Sequence, residues 1–256
     1  MKILIKIGSA LLSKGNYLDH KFLKSKIKEI SELHKQGNEV IIVSSGAVAC
    51  GMEIENLQKR PQDILELQLL SGEGQIELLG HYQKLFLKEG IKISQVLLTH
   101  HNFDTKKEKE TIVNIINNYL KRKIIPIINE NDLVSKEEFE SNKLFSDNDI
   151  LAALIAKEIR VDLIIILTDV DGLYSENPGT NLNATLIEEV KEITEEIKKI
   201  ATKENNMLGL GGMNSKIIAA EITTKEGINT IIANGKYSIS DILNNKVKRT
   251  LFRAKK

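Results

Sequence analysis

Short apolar runs recur along this chain, and longer amphipathic stretches separate them. Uninterrupted apolar runs are typical of strands covered on both faces, and they lie at residues 2–7, 39–44, 93–99, 124–128, 163–167 and 229–233. Apolar residues at helical spacing predict helices at 19–36, 61–89, 105–122, 146–157 and 215–226, with a break in the second near Gly72 to Gly74 and mostly helical structure at 185–202. Strands that alternate with helices predict an α/β protein with a mainly parallel central sheet and helices on both faces.

Length and charge narrow the class of protein. The 256 residues suit one domain of two lobes, divided near residue 162, better than two independent domains. The net charge of +1 gives no preference for nucleic acid or an anionic membrane, and no apolar run reaches the roughly 18 residues of a membrane span. The single Cys50 suits a reducing compartment, and the first strand is not a signal peptide. We therefore expect a cytoplasmic protein without a nucleic-acid or membrane partner.

A glycine-rich stretch at residues 209–216 carries the most distinctive local pattern. Three glycines in four positions precede Lys216, which stands at the start of a predicted helix. Glycine backbone amides, a helix N-terminus and a lysine together favour a phosphate-binding loop. The spacing fits neither the P-loop nor the dinucleotide-binding pattern. A flexible surface loop with a solvated lysine is the alternative.

Small, polar or acidic residues follow several of the predicted strands. They are Gly8-Ser9, Ser44-Ser45-Gly46, Asn129-Glu130-Asn131-Asp132 and Thr168-Asp169. Ligands of open parallel sheets bind beyond the carboxyl ends of the strands, although turns alone also favour these residue types. Lys6 stands inside an otherwise apolar strand, and lysine is rarely buried unless it is paired. A structural lysine on an edge strand is the alternative interpretation.

Six motifs occur in a fixed order along almost the whole chain, from Lys2 to about Thr250. They are Lys6-Ile7-Gly8-Ser9, Ser44-Ser45-Gly46-Ala47, Asn129-Glu130-Asn131-Asp132, Asp147-Asn148-Asp149, residues 167–174 and Gly211-Gly212-Met213-Asn214-Ser215-Lys216. Together they resemble the amino acid kinase family. The resemblance implies an open αβα sandwich in which ATP, with Mg²⁺, phosphorylates the γ-carboxylate of L-glutamate, the first step of proline biosynthesis.

The resemblance also implies roles for individual residues. Lys6 and Lys216 would contact the transferred phosphoryl group, and Asp149 would hold the two lysines. L-Glutamate would bind in the N-terminal lobe, about residues 1–162, to Ser45, Asp132 and Asn148. The nucleotide would bind mainly in the C-terminal lobe, about residues 163–256, and its contacts would be Lys6, Gly8, Thr168, Asp169, Leu210, Gly211, Gly212, Met213, Asn214, Ser215 and Lys216. No residue is expected to ligate a metal directly, and proline feedback inhibition and a homo-oligomer are further expectations.

Three positions depart from the family pattern. Ser146 stands where glycine is usual, and Leu210 and Ser215 stand where threonine is common. The change at Ser215 keeps a hydroxyl, whereas Leu210 removes a possible hydroxyl contact to phosphate. Many relatives also carry a C-terminal domain of an RNA-binding type, which this sequence is expected to lack.

Elementary chemistry agrees with these roles. A carboxylate is already a nucleophile at neutral pH, so the reaction needs cations to offset repulsion between two anions and no general base. Asp132 suits the substrate's amine, while Asn148 and backbone amides near Ser45 and Gly46 suit carboxylates. The sequence does not decide which substrate group pairs with which residue.

Other functions within and outside the family remain open at this stage. Acetylglutamate kinase, aspartokinase and carbamate kinase activities are possible on the same fold, and the Asn129–Asp132 and Gly211–Met213 motifs favour glutamate as the acceptor. A non-catalytic amino-acid sensor is the alternative from another class. Retention of both Lys6 and Lys216 argues against a sensor.

Overall fold

The structure, a computed structural model, describes residues 1–15, 17–135, 148–181, 183–204 and 212–255. The strands are β1 (Lys2–Ile7), β2 (Ser13–Lys14), β3 (Tyr17–Leu18), β4 (Glu39–Ser44), β5 (Lys92–Leu98), β6 (Ile124–Glu130), β7 (Leu163–Thr168), β8 (Glu189–Val190), β9 (Asn229–Asn234) and β10 (Arg249–Phe252). The α-helices are α1 (Ser9–Leu12), α2 (His20–Lys35), α3 (Ala47–Ile54), α4 (Ile64–Lys88), α5 (Lys106–Lys121), α6 (Asn148–Ile159), α7 (Glu195–Glu204), α8 (Met213–Lys225) and α9 (Ile239–Leu243). A 3₁₀ turn spans His100–Phe103.

Eight strands form one sheet in the order β5-β6-β4-β1-β7-β9-β10-β8. All neighbouring strands are parallel except β9 and β10, which are antiparallel. β1 lies at the centre and pairs with β4 on one side and β7 on the other. Its carboxyl end therefore opens between two strands that also end in polar residues.

Both faces of the sheet are covered by helices. Ile3, Ile5 and Ile7 of β1 pack on the face that α2, α4 and α9 cover, whereas Leu4 packs on the face of α5, α6 and α8. Side chains alternate between faces along a strand, so a strand buried on both faces must be apolar throughout. The predicted α/β fold, an open αβα sandwich with a mainly parallel sheet, is confirmed.

The predicted break in the second long helix is wrong. α4 is continuous through this region. Gly74 does not interrupt the helix but faces the backbone of α3 where the two helices cross closely. A Cβ atom at Gly74 would lie 1.9 Å from the carbonyl oxygen of Ala47, and one at Gly51 would lie 2.0 Å from that of Leu70. Glycine is thus required here for close helix packing.

Most other predicted elements lie within a few residues of the observed ones. Pro126 lies inside β6, where β4 begins to pair only at Ile127, while β5 pairs along its whole length. The predicted mostly helical segment at 185–202 instead contains β8 followed by α7. Among the described residues, no helix is long and apolar enough to cross a membrane.

Candidate active site

Two lysines from opposite ends of the chain meet at one aspartate. The Nζ atom of Lys6 lies 2.6 Å from Oδ1 of Asp149, and the Nζ atom of Lys216 lies 3.0 Å from Oδ2. Ser215 donates a hydrogen bond of 3.2 Å to the same Oδ2 atom. Asp149 is fully buried, and the two lysines are 4% and 5% exposed. Among the described residues, two buried ammonium groups therefore lie against the same buried carboxylate.

The secondary structure places these three side chains together. Lys6 is the penultimate residue of central β1, while Asp149 and Lys216 lie in the first turns of α6 and α8. Because β1 pairs on both sides, Lys6 is not the edge-strand lysine of the alternative interpretation. The N-terminal turns of α6 and α8 thus meet the carboxyl end of β1, as expected for ligand sites of open parallel sheets.

The charge state of Asp149 follows from its surroundings. Burial is the largest effect and would raise its pKa, but the charges of Lys216 and Lys6 together outweigh it and lower the pKa from 3.8 to about 2. Asp149 is therefore ionised at neutral pH and holds the two ammonium groups by charge-assisted hydrogen bonds.

A cavity of about 290 Å³ lies next to this cluster. Its lining includes the three predicted substrate residues, Ser45, Asp132 and Asn148, together with Asn129 and Arg60. Residues 46–49, where α3 begins, form another wall. Gly46 caps α3 with φ of 106°, a left-handed conformation that favours glycine. The start of α3 gives this wall a positive electrostatic potential.

Polar residues of α4 form hydrogen bonds with the cavity wall that contains Asp132 and Asn129. Ser71 donates a short hydrogen bond to Oδ2 of Asp132, and Gln68 donates one of 2.7 Å to the Asp132 carbonyl oxygen. Gln75, one turn further along α4, accepts a hydrogen bond of 2.8 Å from Nδ2 of Asn129. The side chains of Gln68, Ser71 and Gln75 thus bind the end of β6 and the segment that follows it.

The sequence expectation, a carboxylate bound to Asn148, would need the NH₂ group of its side chain. In the structure that NH₂ group is already bonded to the protein. The Nδ2 atom of Asn148 donates to Oγ of Ser45 and to Oδ1 of Asn129, each at 3.1 Å. Within the described part of the chain, its buried Oδ1 atom has no hydrogen-bond partner. Asn148 therefore has an acceptor to offer, which favours an ammonium group as its partner, whereas the sequence expectation paired it with a carboxylate.

The predicted nucleotide residues lie around the ends of β1, β7 and β9. The amide of Gly8 donates to the carbonyl oxygen of Leu167 at 3.1 Å, which ties the end of β1 to β7. Thr168 donates to Oδ1 of Asp169 at 3.1 Å, and Asn234 of β9 donates to the Asp169 carbonyl at 2.7 Å. Asn234 was not predicted from the sequence.

The end of the glycine-rich stretch begins α8. Gly212 is the N-cap residue, Met213 and Asn214 form the first turn, and Ser215 donates to the Gly212 carbonyl oxygen at 2.9 Å. Leu210, Gly211 and Ser146 lie outside the described residues. The two family departures at Leu210 and Ser146 therefore have no structural account, whereas the hydroxyl of Ser215 contacts Asp149 directly.

Sequence reasoning missed Gln75, Ser71 and Arg60 as site residues, and it identified Asn129 only as part of the Asn129–Asp132 motif. Gln75 and Ser71 belong to a long amphipathic helix, where isolated polar residues are usually solvated. Only the spacing of Ser71 and Gln75 indicated a shared role, because residues four apart on a helix lie on the same face. The contact between that face of α4 and the motif at the end of β6 exists only in the folded protein, so the sequence does not show it.

The chemistry of Mg²⁺ fits this site through the nucleotide. Among the described residues, no group of three His, Cys, Asp or Glu side chains could hold a metal ion. Mg²⁺ commonly binds substrate phosphates and water with only one or two carboxylates. Asp169 is an exposed carboxylate directly after β7, among the residues predicted to bind the nucleotide.

A larger depression of about 530 Å³ lies on the outer surface of α5 and α6 and includes Lys106, Glu110 and Glu158. None of its lining side chains is buried. We therefore assign the chemistry to the smaller cavity, whose polar groups are buried and convergent.

A doubly covered parallel sheet with two buried ammonium groups at its carboxyl edge suits a phosphotransferase, since ammonium groups in such a place can neutralise a moving phosphoryl group. The model of the family described as "Amino acid kinase family" matches residues 1–234. The chain belongs to the amino acid kinase family, and it is a kinase.

Individual proteins agree with this assignment. The chain is 41% identical over 254 residues to a glutamate 5-kinase from Clostridium acetobutylicum, and the match covers 98% of this chain and 94% of the relative. It is also 41% identical to a glutamate 5-kinase from Dehalococcoides mccartyi, of which it spans 64%. A solved carbamate kinase from Giardia lamblia, bound to AMP-PNP, superimposes with a TM-score of 0.66 over 98% of both chains. At 18% identity, that likeness shows the fold alone.

Proposed function

We propose that this protein is an ATP-dependent kinase that phosphorylates the γ-carboxylate of L-glutamate and yields L-glutamyl 5-phosphate, the first step of proline biosynthesis. A γ-carboxylate oxygen attacks the terminal phosphorus of ATP, and the bond from that phosphorus to the bridging oxygen of ADP breaks. The observation that carries the proposal is the convergence of Lys6 and Lys216 on Asp149 beside a cavity suited to an amino acid.

Lys6 and Lys216 take part in the transfer as positive charges. Both acceptor and donor are anionic, and the loose transition state spreads negative charge over the phosphoryl oxygens. Two fixed ammonium groups offset that charge without reorganisation during the reaction. Asp149 fixes their positions, since two unpaired lysines in a buried site would repel each other. Mg²⁺ supplies further neutralisation of the phosphates when the nucleotide is bound.

The cavity beside the lysines accepts the rest of glutamate. The acidic side, with Asp132 and Asn148 Oδ1, binds the α-ammonium group. The start of α3 and Arg60 bind the α-carboxylate, since Arg60 supplies the positive charge among the described side chains that line the cavity. Ser45 lies between these groups and bonds Asn148. This arrangement directs the γ-carboxylate toward Lys6.

The nucleotide binds across the ends of β1, β7 and β9, largely in the C-terminal lobe. Gly8, Thr168, Asp169 and residues 210–216 contact it, with Lys6 and Lys216 at its terminal phosphate. The N-terminal turn of α8 offers free backbone amides to phosphate oxygens. We place the boundary between the two lobes near residue 162.

Proline shares the α-carboxylate and an α-ammonium group with glutamate. We propose that proline inhibits the enzyme by competing for these contacts, and that the protein is a cytoplasmic homo-oligomer. Inhibition kinetics with varied glutamate and light scattering of the purified protein test the two proposals separately.

Release of ADP measured with L-glutamate, N-acetyl-L-glutamate, L-aspartate and carbamate tests the acceptor. We expect turnover with L-glutamate well above that with the other three, because only L-glutamate combines a free α-ammonium group with a γ-carboxylate. Turnover with N-acetylglutamate and none with glutamate would overturn the proposal.

A further inference from the structure

A chain of hydrogen bonds connects α4 with the substrate cavity. Gln75 Oε1 accepts from Asn129 Nδ2 at 2.8 Å, and Asn129 Oδ1 accepts from Asn148 Nδ2 at 3.1 Å. Asn129 and Asn148 are 2% and 3% exposed. We call these three side chains, Gln75, Asn129 and Asn148, the amide relay.

The direction of the amide relay is fixed by a backbone group. The N–H of Glu130 donates to Oδ1 of Asn129 at 2.9 Å, and a backbone N–H can only donate. The Asn129 atom that faces Glu130 must therefore be oxygen, and the atom that faces Asn148 is the same oxygen. Asn148 must then present its NH₂ group to Asn129, which leaves its own Oδ1 as the remaining polar atom.

That remaining oxygen needs a donor. Oδ1 of Asn148 is buried, and within the described residues nothing donates to it. A buried acceptor left without a donor costs about 1–3 kcal/mol, so a ligand that donates there gains affinity. Asp132, which also lines the cavity, adds a carboxylate that likewise accepts. A cationic donor group suits the Asn148 oxygen and the negative charge of Asp132 together.

We propose that Gln75 is a positioning residue that makes the cavity select an acceptor with an α-ammonium group. Gln75 holds Nδ2 of Asn129 while Glu130 holds Oδ1, so the Asn129 amide is anchored at both ends. Without Gln75 the buried Nδ2 atom loses its acceptor, and Asn129 no longer holds Asn148 with Oδ1 free. This inference rests on the proposed phosphorylation of glutamate.

The test compares Gln75→Leu with Gln75→Glu. Leucine removes the acceptor, whereas glutamate retains an oxygen that accepts from Asn129. We expect Gln75→Leu to raise the KM for L-glutamate roughly tenfold or more, with kcat changed far less. Gln75→Glu restores most of the loss. Gln75→Met, which also lacks an acceptor, gives the same comparison if the leucine variant does not fold.

Glutarate inhibition distinguishes the proposed role of Gln75 from a merely structural one, because a structural defect would weaken the binding of glutamate and glutarate alike. It has both carboxylates of glutamate and no ammonium group, so it makes no contact that depends on Asn148 Oδ1. We expect its inhibition constant against L-glutamate to be unchanged in Gln75→Leu. An equal loss for glutamate and glutarate, or no loss for either, would overturn the role of Gln75. Wild-type protein without glutamate-dependent ADP release would overturn the proposed function itself.

Discussion

The cluster of Lys6, Asp149 and Lys216 shows how far the role of a single residue can be predicted from the sequence. Lys6 interrupts an apolar strand and Lys216 follows a glycine cluster, so each was conspicuous before the fold was known. Asp149 was assigned as their partner through the family resemblance, and the structure places its two carboxylate oxygens against one lysine each. Neutral polar residues such as Gln75 gave no comparable signal, since their role depends on which helix face meets the sheet.

Removal of the Lys216 charge tests its proposed role. We expect Lys216→Ala to lower turnover by about 10²-fold or more, because one of two charges that offset the moving phosphoryl group is lost. Calorimetry should show glutamate binding retained. Lys225→Ala, a change at an exposed lysine of the same helix, is the matched control and should leave turnover unchanged. Unchanged turnover in Lys216→Ala would refute the role.

The pH dependence of stability tests the charge of Asp149. Its folded-state pKa of about 2 lies below the ordinary 3.8, so its contribution is fully present above about pH 4 and is lost as the pH falls toward 2. The shift corresponds to stabilisation on the order of 2 kcal/mol. Chemical unfolding of wild type and Asp149→Asn at several pH values should show a difference that is constant near neutral pH and shrinks below about pH 4. A difference that grows on acidification would contradict the assignment.

At the scale of elements, periodicity predicted the longer strands and the major helices, while the short strands β8 and β10 were missed. β1 and β4 have the predicted bounds, because a strand buried on both faces must be apolar from end to end. β8 and β10 are the last two strands at one end of the sheet, with two and four residues, and so few residues carry too little pattern to distinguish them from loops. The glycines of α4 suggested a break because sequence alone does not show the backbone of α3 beside them.

The crossing of α3 and α4 can be tested with two glycines of one helix. Gly74→Ala would place a Cβ atom 1.9 Å from the Ala47 carbonyl oxygen, so we expect destabilisation by about 1–3 kcal/mol or more. Gly80→Ala is the control, since a Cβ atom there meets nothing within 4 Å, and it should stabilise α4 by up to about 1 kcal/mol. Denaturant unfolding measures both, and equal effects would show that the close crossing does not constrain position 74.

At the scale of the whole molecule, the alternation of strands and helices was enough to predict the layers. The order of strands was not predicted, because it depends on which strands pair across long connections. That order places β1 between β4 and β7 and so brings the polar motifs after three strands to one edge. The resemblance to the amino acid kinase family is confirmed by the match over residues 1–234.

The shared sheet predicts that the two proposed lobes unfold together. Ile3 to Ile7 of β1 pair in parallel with Leu163 to Leu167 of β7, so the sheet is continuous across the proposed boundary. We expect one thermal transition by scanning calorimetry, with the calorimetric enthalpy equal to the van't Hoff enthalpy. Two resolved transitions would show that the lobes are independent folding units.

The central claim is that Lys6 and Lys216 together contact the phosphoryl group during its transfer to glutamate. A crystal structure with ADP, Mg²⁺, aluminium fluoride and L-glutamate tests this claim most directly. We predict that the aluminium fluoride lies between the ADP β-phosphate and the γ-carboxylate and contacts both lysine Nζ atoms. A complex in which the two ammonium groups face separate ligands, with no shared anion, would contradict it.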